Sequence, residues 1–254
     1  MMKFVCFFFL LVGTTIFFAS AAYPARGSME GDMDEPVWLT ESDTIADMVN
    51  HPAFAGFGAH LIPRPQAAQS DLPLREVGRL MPWHSHVRPG IVTAALNRMI
   101  DDAMTGKAVF YPFHTEREKQ ERTGLLYYRG KPGAPFALIF LGGGFAYVGS
   151  LHEGFPLAEV LSRKGYNAFV LQYRTGGPTV AYEDMAAALS WIFRHAEELE
   201  VSTQGYSVWG GSAGARMAAS ISRARQLWSW ATPGTNATRR TIPRPLPWSV
   251  RMTP

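Results

Sequence analysis

The sequence predicts an α/β domain built on a mostly parallel, doubly wound sheet, and three observations carry that prediction. Three continuous apolar runs, "PFALIFL" (135–141), "YNAFVLQYR" (166–174) and "YSVWGG" (206–211), have the length and composition of buried strands. Amphipathic stretches of helical spacing separate them. Strands alternating with helices need crossover connections, which make neighbouring strands parallel and cover the sheet on both faces.

The elements follow in order. Residues 1–22 stand apart from the domain: Lys3 is a positive n-region, Phe4 to Phe18 a largely apolar stretch, and Ala19-Ser20-Ala21 a small-x-small cleavage signature. They read as a signal peptide, with no stable membrane span after its removal, because the apolar stretch is shorter than the ~18–20 residues that cross a bilayer. The single cysteine, Cys6, lies inside it. An exported, periplasmic or secreted chain without disulfides suits a bacterial envelope. Residues 23–74 are rich in Pro, Gly, Ala and acidic residues and read as a linker or arm with little structure of its own.

The folded core is expected over residues 75–220. It opens with one or two helical stretches, the better from Ile91 to Met104. "AVFYPF" (108–113) and "GLLYYRG" (124–130) read as two strands of a hairpin. "PFALIFL" ends in three glycines, as a buried strand entering a tight loop does. "FPLAEVLSRKG" (155–165) spaces Leu157, Val160 and Leu161 as a helix with a glycine stop. After "YNAFVLQYR", residues 182–201 place Met185, Ala188, Leu189, Ile192, Ala196 and Leu199 on one helical face, with Glu183 and Asp184 in the first turn. "YSVWGG" leads into a serine and an Ala-rich helix.

Two motifs carry chemistry. Gly210-Gly211-Ser212-Ala213-Gly214 is G-x-S-x-G between a strand and a helix, the context of a nucleophile elbow, in which small residues let two backbones approach around a strained serine. "LGGGFAYVGS" (141–150) leaves backbone N–H groups unobstructed after a strand. Those of Gly143 and Gly144, with that of Ala213, form a candidate oxyanion hole. A nucleotide-binding reading fails, because the glycines lack G-x-G-x-x-G spacing and the next strand ends in Arg174 rather than an acid. No cofactor and no metal are therefore expected. His84 and His86 in "WHSHV" make an i, i+2 pair without an evident third ligand. His152 and Glu153 follow the glycine loop and read as capping or pocket-lining residues, and Asp184 as a dipole contact.

Through "GGGFAYVGS", "GYNAFVLQYR", "YEDMAAALSWIF" and "YSVWGGSAGARMAA", residues 75–219 resemble the bacterial α/β-hydrolase esterases, related to the hormone-sensitive-lipase-like and acetyl-esterase groups. The resemblance implies hydrolysis of carboxylic esters, often of short acyl chains, with small-molecule or carbohydrate esters as substrates, Ser212 as nucleophile, and Gly143, Gly144 and Ala213 as oxyanion donors. Leu141 stands where many relatives carry histidine, and Gly211 where many carry aspartate.

In this fold the acid and histidine follow the serine in chain order. The 42 residues after Ser212 hold neither: they contain seven arginines, five prolines and no Asp, Glu, Lys or His. The rest of the chain carries 17 basic and 21 acidic residues, so the overall charge of +3 joins two unlike compositions. The tail lacks the interleaved pattern of a nucleic-acid-binding face, and no such partner is expected. The expectation is therefore an α/β-hydrolase incomplete at its C-terminal side, inactive as it stands, with residues 221–254 an aberrant basic, Pro-rich tail arising by truncation or frameshift. The competing class is a non-catalytic remnant or binding module of the same fold.

Overall fold

The computed structural model describes residues 37–221 except 64–67, 69, 82–83 and 85. The signal peptide read at 1–22 and, apart from Ile221, the aberrant tail read at 221–254 lie outside the described residues.

Five strands form one sheet in the order β1-β2-β4-β3-β5: β1 Phe110–Tyr111, β2 Gly124–Tyr128, β3 Pro135–Phe140, β4 Asn167–Gln172 and β5 Ser202–Gly210. The expected α/β class is what forms. β3 runs parallel to β4 on one side and to β5 on the other, while β2 pairs antiparallel with both β1 and β4. Helical crossovers make these pairings possible: α4 (Phe155–Arg163) carries the chain from β3 to its neighbour β4, and α5 (Pro178–Arg194) carries it from β4 back past β3 to β5 on β3's other side. The hairpin expected at 108–130 is present, its connection carrying a single turn of helix, α3 (Arg117–Gln120).

Both faces of the sheet are covered, and two adjacent tyrosines of β2 show how, because successive side chains on a strand point to opposite faces. Tyr128 donates its hydroxyl to the carbonyl of Ala95 in α2 (Pro89–Met104) at 3.1 Å and meets Phe155 of α4. Tyr127 faces the other way, stacking on its register partner Phe169 at 4.2 Å, and from there the layer continues through Phe136 to Phe193 of α5. Its hydroxyl donates to Asn167 Oδ1 at 2.8 Å, so the buried polar atom keeps a partner.

Three sequence expectations are corrected. Of the stretch read as a linker, 23–74, the described residues, 37–63, 68 and 70–74, pack as part of the fold. Thr44 caps α1 (Ile45–Val49) in a capping box with Asp47, and short 3-10 turns at Pro52–Phe54, Gly58–Leu61 and Leu74–Leu80 follow. Ile45, Met48, Phe54, Leu61, Leu74 and Val77 are fully buried in the common core, and Asn97 of α2 clamps the backbone of Leu39 through two 2.9 Å hydrogen bonds. Helix α5 begins at Pro178 and ends at Arg194, so Asp184 lies in its second turn and not its first. The start signal is a proline in the first turn after Gly176-Gly177. Finally, β5 is half-buried where a fully buried strand was expected, because it forms an edge of the sheet among the described residues. No helix among the described residues is long and apolar enough to cross a membrane.

Candidate functional site

The site lies at the C-terminal ends of β3 and β5, where both strands turn sharply. Beyond β5 the chain enters a helix at 213–221, here α6, and the residue at the turn is Ser212, with φ +49. A non-glycine residue in the left-handed region stores on the order of 1–3 kcal/mol and persists only where the surroundings impose it. Here the imposing contact is close approach of α6 to β3. A Cβ on Gly214 would sit 2.1 Å from the Phe140 carbonyl oxygen, and one on Gly210 2.4 Å from the carbonyl carbon of Gly214. Ser212 itself is exposed, at the sheet's upper rim. Substituting glycine for Ser212 relieves the strained φ and is expected to raise stability by about 1 kcal/mol after the entropy of the added glycine is discounted. Ser212→Ala keeps the strain and should leave the urea midpoint nearly unchanged, so the difference between the two variants measures it.

Beyond β3, Gly142, Gly143 and Gly144 form a tight turn with Phe145. Gly143 (φ +124), Gly144 (φ +60) and Phe145 (φ +62) all lie in the left-handed half of backbone space, and a Cβ on Gly143 would strike the Tyr147 carbonyl at 2.1 Å. Among the described residues, the amides of Gly143, Gly144 and Ala213 donate to no acceptor in the chain, Ala213 because it opens a helix. The two turns adjoin: a Cβ on Gly142 would lie 3.4 Å from the Cβ of Ser212.

A π-helical turn, Ser150–Gly154, joins this loop to α4 and brings up two side chains read from the sequence as pocket lining. The Glu153 carboxylate accepts the Gly142 amide through Oε2 at 3.0 Å, and the same oxygen lies 3.8 Å from where a Gly211 side chain would begin. Glu153 therefore reaches the space between the glycine loop and the elbow. His152, its ring fully enclosed, points its Nε2 toward Glu153 Oε1 at 3.6 Å and packs against His84 with ring centroids 4.3 Å apart. Burial, then the neighbouring His84 and His86, hold the His152 imidazole down to about 4, so it is neutral at neutral pH. The Tyr147 hydroxyl lies 3.0 Å from Nε2 of His84.

Asp184 does not join this site. It is fully buried beneath it, where Arg174 contacts its carboxylate at 2.8–3.1 Å, the Arg174 amide donates at 2.7 Å, and His114 Nε2 lies 2.7 Å away. The dipole role expected from a first-turn position is replaced by a buried ion pair tying α5 to the end of β4. Its carboxylate raises the Arg174 pKa chiefly by accepting hydrogen bonds.

Residues 127–227 match the BD-FAE family model, an α/β-hydrolase-type esterase domain, and the matched span contains both glycine turns and Ser212. No curated protein matches the chain. Among solved structures, the chain is similar to the acetyl ester-xyloside bifunctional hydrolase of Caldicellulosiruptor lactoaceticus at 21% identity, with a TM-score of 0.39, covering 43% of this chain and 44% of that one. It is also similar to esterase 2 of Thermogutta terrifontis, at 25% identity, TM-score 0.39 and the same coverage. A third likeness is to MGS-M1, an alpha/beta hydrolase enzyme from a Medee basin deep-sea metagenome library, at 26% identity and TM-score 0.36, covering 42% of this chain and 47% of that one. The chain thus spans less than half the length of each.

Proposed function

We propose that this chain carries the nucleophile and oxyanion half of a serine hydrolase of carboxylic esters, with short acyl or acetyl esters, including those on carbohydrate, as the substrate class. The observation that carries the proposal is the strained, exposed Ser212 between β5 and α6, abutting a glycine loop whose Gly143 and Gly144 amides have no acceptor among the described residues. The BD-FAE match over the same residues supports it. In the reaction Ser212 Oγ attacks the ester carbonyl carbon. The carbonyl oxygen takes up the negative charge and is held by the N–H groups of Gly143, Gly144 and Ala213, and collapse of the tetrahedral species expels the alcohol.

A serine needs a base to lose its proton, and in this fold a histidine and its carboxylate partner follow the nucleophile in chain order. The residues after Ser212 supply neither. We therefore expect the chain as it stands to hydrolyse p-nitrophenyl acetate no faster than its Ser212→Ala variant. Turnover by the unmodified chain that Ser212→Ala abolishes overturns the inactive assignment. The test of the esterase reading is the encoding DNA translated in its other two frames beyond position 220. A continuation with βα pattern, an Asp and a His should give a longer product whose hydrolysis depends on Ser212; a folded longer product without esterase activity sinks the reading. We further propose export to the periplasm or medium, a reading supported by the Lys3, Phe4–Phe18 and Ala19-Ser20-Ala21 pattern.

A second reading is a non-catalytic binding module of the same fold. It gains ground if the longer frames contain no further βα units.

A further inference from the structure

We propose that His84, His152 and Glu153 form a binding site for a divalent cation of the zinc type, beside the glycine loop. One ligand atom from each residue lies within 4.8 Å of the other two. His152 Nε2 and Glu153 Oε1 are 3.6 Å apart, and two ligands held ~2.1 Å from one zinc ion at the tetrahedral angle are about 3.4 Å apart. Closing the third corner takes an adjustment of His84, which is only half-buried, on a segment that precedes α2.

The independent observation is His152 itself. Its side chain is fully enclosed, and among the described residues neither ring nitrogen has a hydrogen-bond partner, although buried polar atoms are almost always paired. The enclosure is specific, since a Cβ on Gly149 would lie 2.7 Å from its ring. An imidazole shielded from water and aimed at a carboxylate too far away to bond is a ligand awaiting a shared partner.

The surrounding contacts are those that orient metal ligands. Glu153 divides its oxygens: Oε2 is fixed by the Gly142 amide, leaving Oε1 toward His152. The Tyr147 hydroxyl holds the His84 ring. Such outer partners set the direction of first-contact ligands. Two imidazoles with one carboxylate is a nitrogen-rich set, suited to zinc and its transition-metal neighbours rather than to calcium or magnesium, which take oxygen. Three protein ligands leave a fourth position open, and a cleft bordered by His86, Arg88, Ile91 and Pro156 reaches His152 from outside. The site does not depend on Ser212 acting as a nucleophile. Because Glu153 also holds Gly142, a cation there would pin the glycine loop.

The test uses the full chain, without an affinity tag, stripped by chelator and titrated with Co2+ and then Zn2+. The expected result is one equivalent of Co2+ bound, with the visible absorption of a four- or five-coordinate ion that Zn2+ then abolishes. Glu153→Gln keeps an oxygen to accept the Gly142 amide but loses the charge, and should weaken binding at least about tenfold, as should His84→Ala. His86→Ala should leave it within about twofold, since His86 lines the approach only. Circular dichroism confirms that the variants are folded, and their partly exposed positions make them tolerant. Absence of stoichiometric Co2+ binding, an octahedral spectrum, or binding indifferent to both Glu153→Gln and His84→Ala overturns the proposal.

Discussion

Asp184→Ala is expected to destabilise the fold by about 3–5 kcal/mol, the range for removing one partner of a buried ion pair. The magnitude follows from what the carboxylate holds. It is fully buried in the second turn of α5 and accepts from the Arg174 side chain, the Arg174 amide and His114, so its loss removes the buried acceptor of three groups at once. The Arg174 side chain is only 14% exposed and cannot recover its hydration by swinging out. Glu183, next in sequence, is the internal control. It pairs with the same guanidinium at 3.1 Å but is 59% exposed, and exposed pairs contribute about 0–1 kcal/mol. Urea unfolding followed by tryptophan fluorescence should separate the two variants by several kcal/mol. Arg174→Met combined with Asp184→Leu should recover part of the loss, because an apolar pair leaves no charge uncompensated. A loss under about 1 kcal/mol for Asp184→Ala would show that the pair is not a support of the fold.

That ion pair marks the boundary of what the sequence makes legible. The strands could be read because each contains a continuous apolar run, and the elbow because its small residues are needed at fixed offsets from one serine. Both signals are local. The partners of Asp184 are not, since His114 lies 70 positions away, and nothing in the spacing of either residue points to the other. The same holds for His84, which has no third ligand in its own neighbourhood but meets His152 and Glu153 once β3 and the π-helical turn bring them together. Residues 37–63 escaped for a different reason. Their core anchors, Met48, Phe54 and Leu61, sit on one-turn helices and 3-10 turns, too short to repeat any period, while the surrounding Pro, Gly and Ala mimic a linker. Asp184 falls in the second turn of α5 because Gly176-Gly177 and Pro178 start the helix, one turn ahead of the acidic pair whose charge suggests a first turn.

Gly214→Ala is expected to cost about 3 kcal/mol, the upper part of the range for overpacking, although it adds a single methyl group. The added carbon would lie 2.1 Å from the Phe140 carbonyl oxygen, 2.4 Å from its carbon and 2.9 Å from the Leu141 nitrogen. All three are backbone atoms at the end of β3, so no rotamer change can relieve the contact. The only escape is for α6 to withdraw from the sheet, which pulls Met217, fully buried at the next turn, out of the core. Two other glycines of the site separate crowding from backbone conformation. A Cβ on Gly211 would meet nothing closer than 3.8 Å, an ordinary contact, and that position is also where many of the resembled esterases carry aspartate. Gly211→Ala should therefore change stability by less than about 0.5 kcal/mol. At Gly144 there is open space but φ is +60, so Gly144→Ala should cost only the conformational strain, about 1 kcal/mol. The order Gly214 far above Gly144, and Gly144 above Gly211, measured as urea midpoints at equal slope, is what a tight strand-to-helix elbow requires. Equal costs at Gly214 and Gly211 would mean that α6 does not pack against β3 at this distance, and the strain at Ser212 would lose its physical cause.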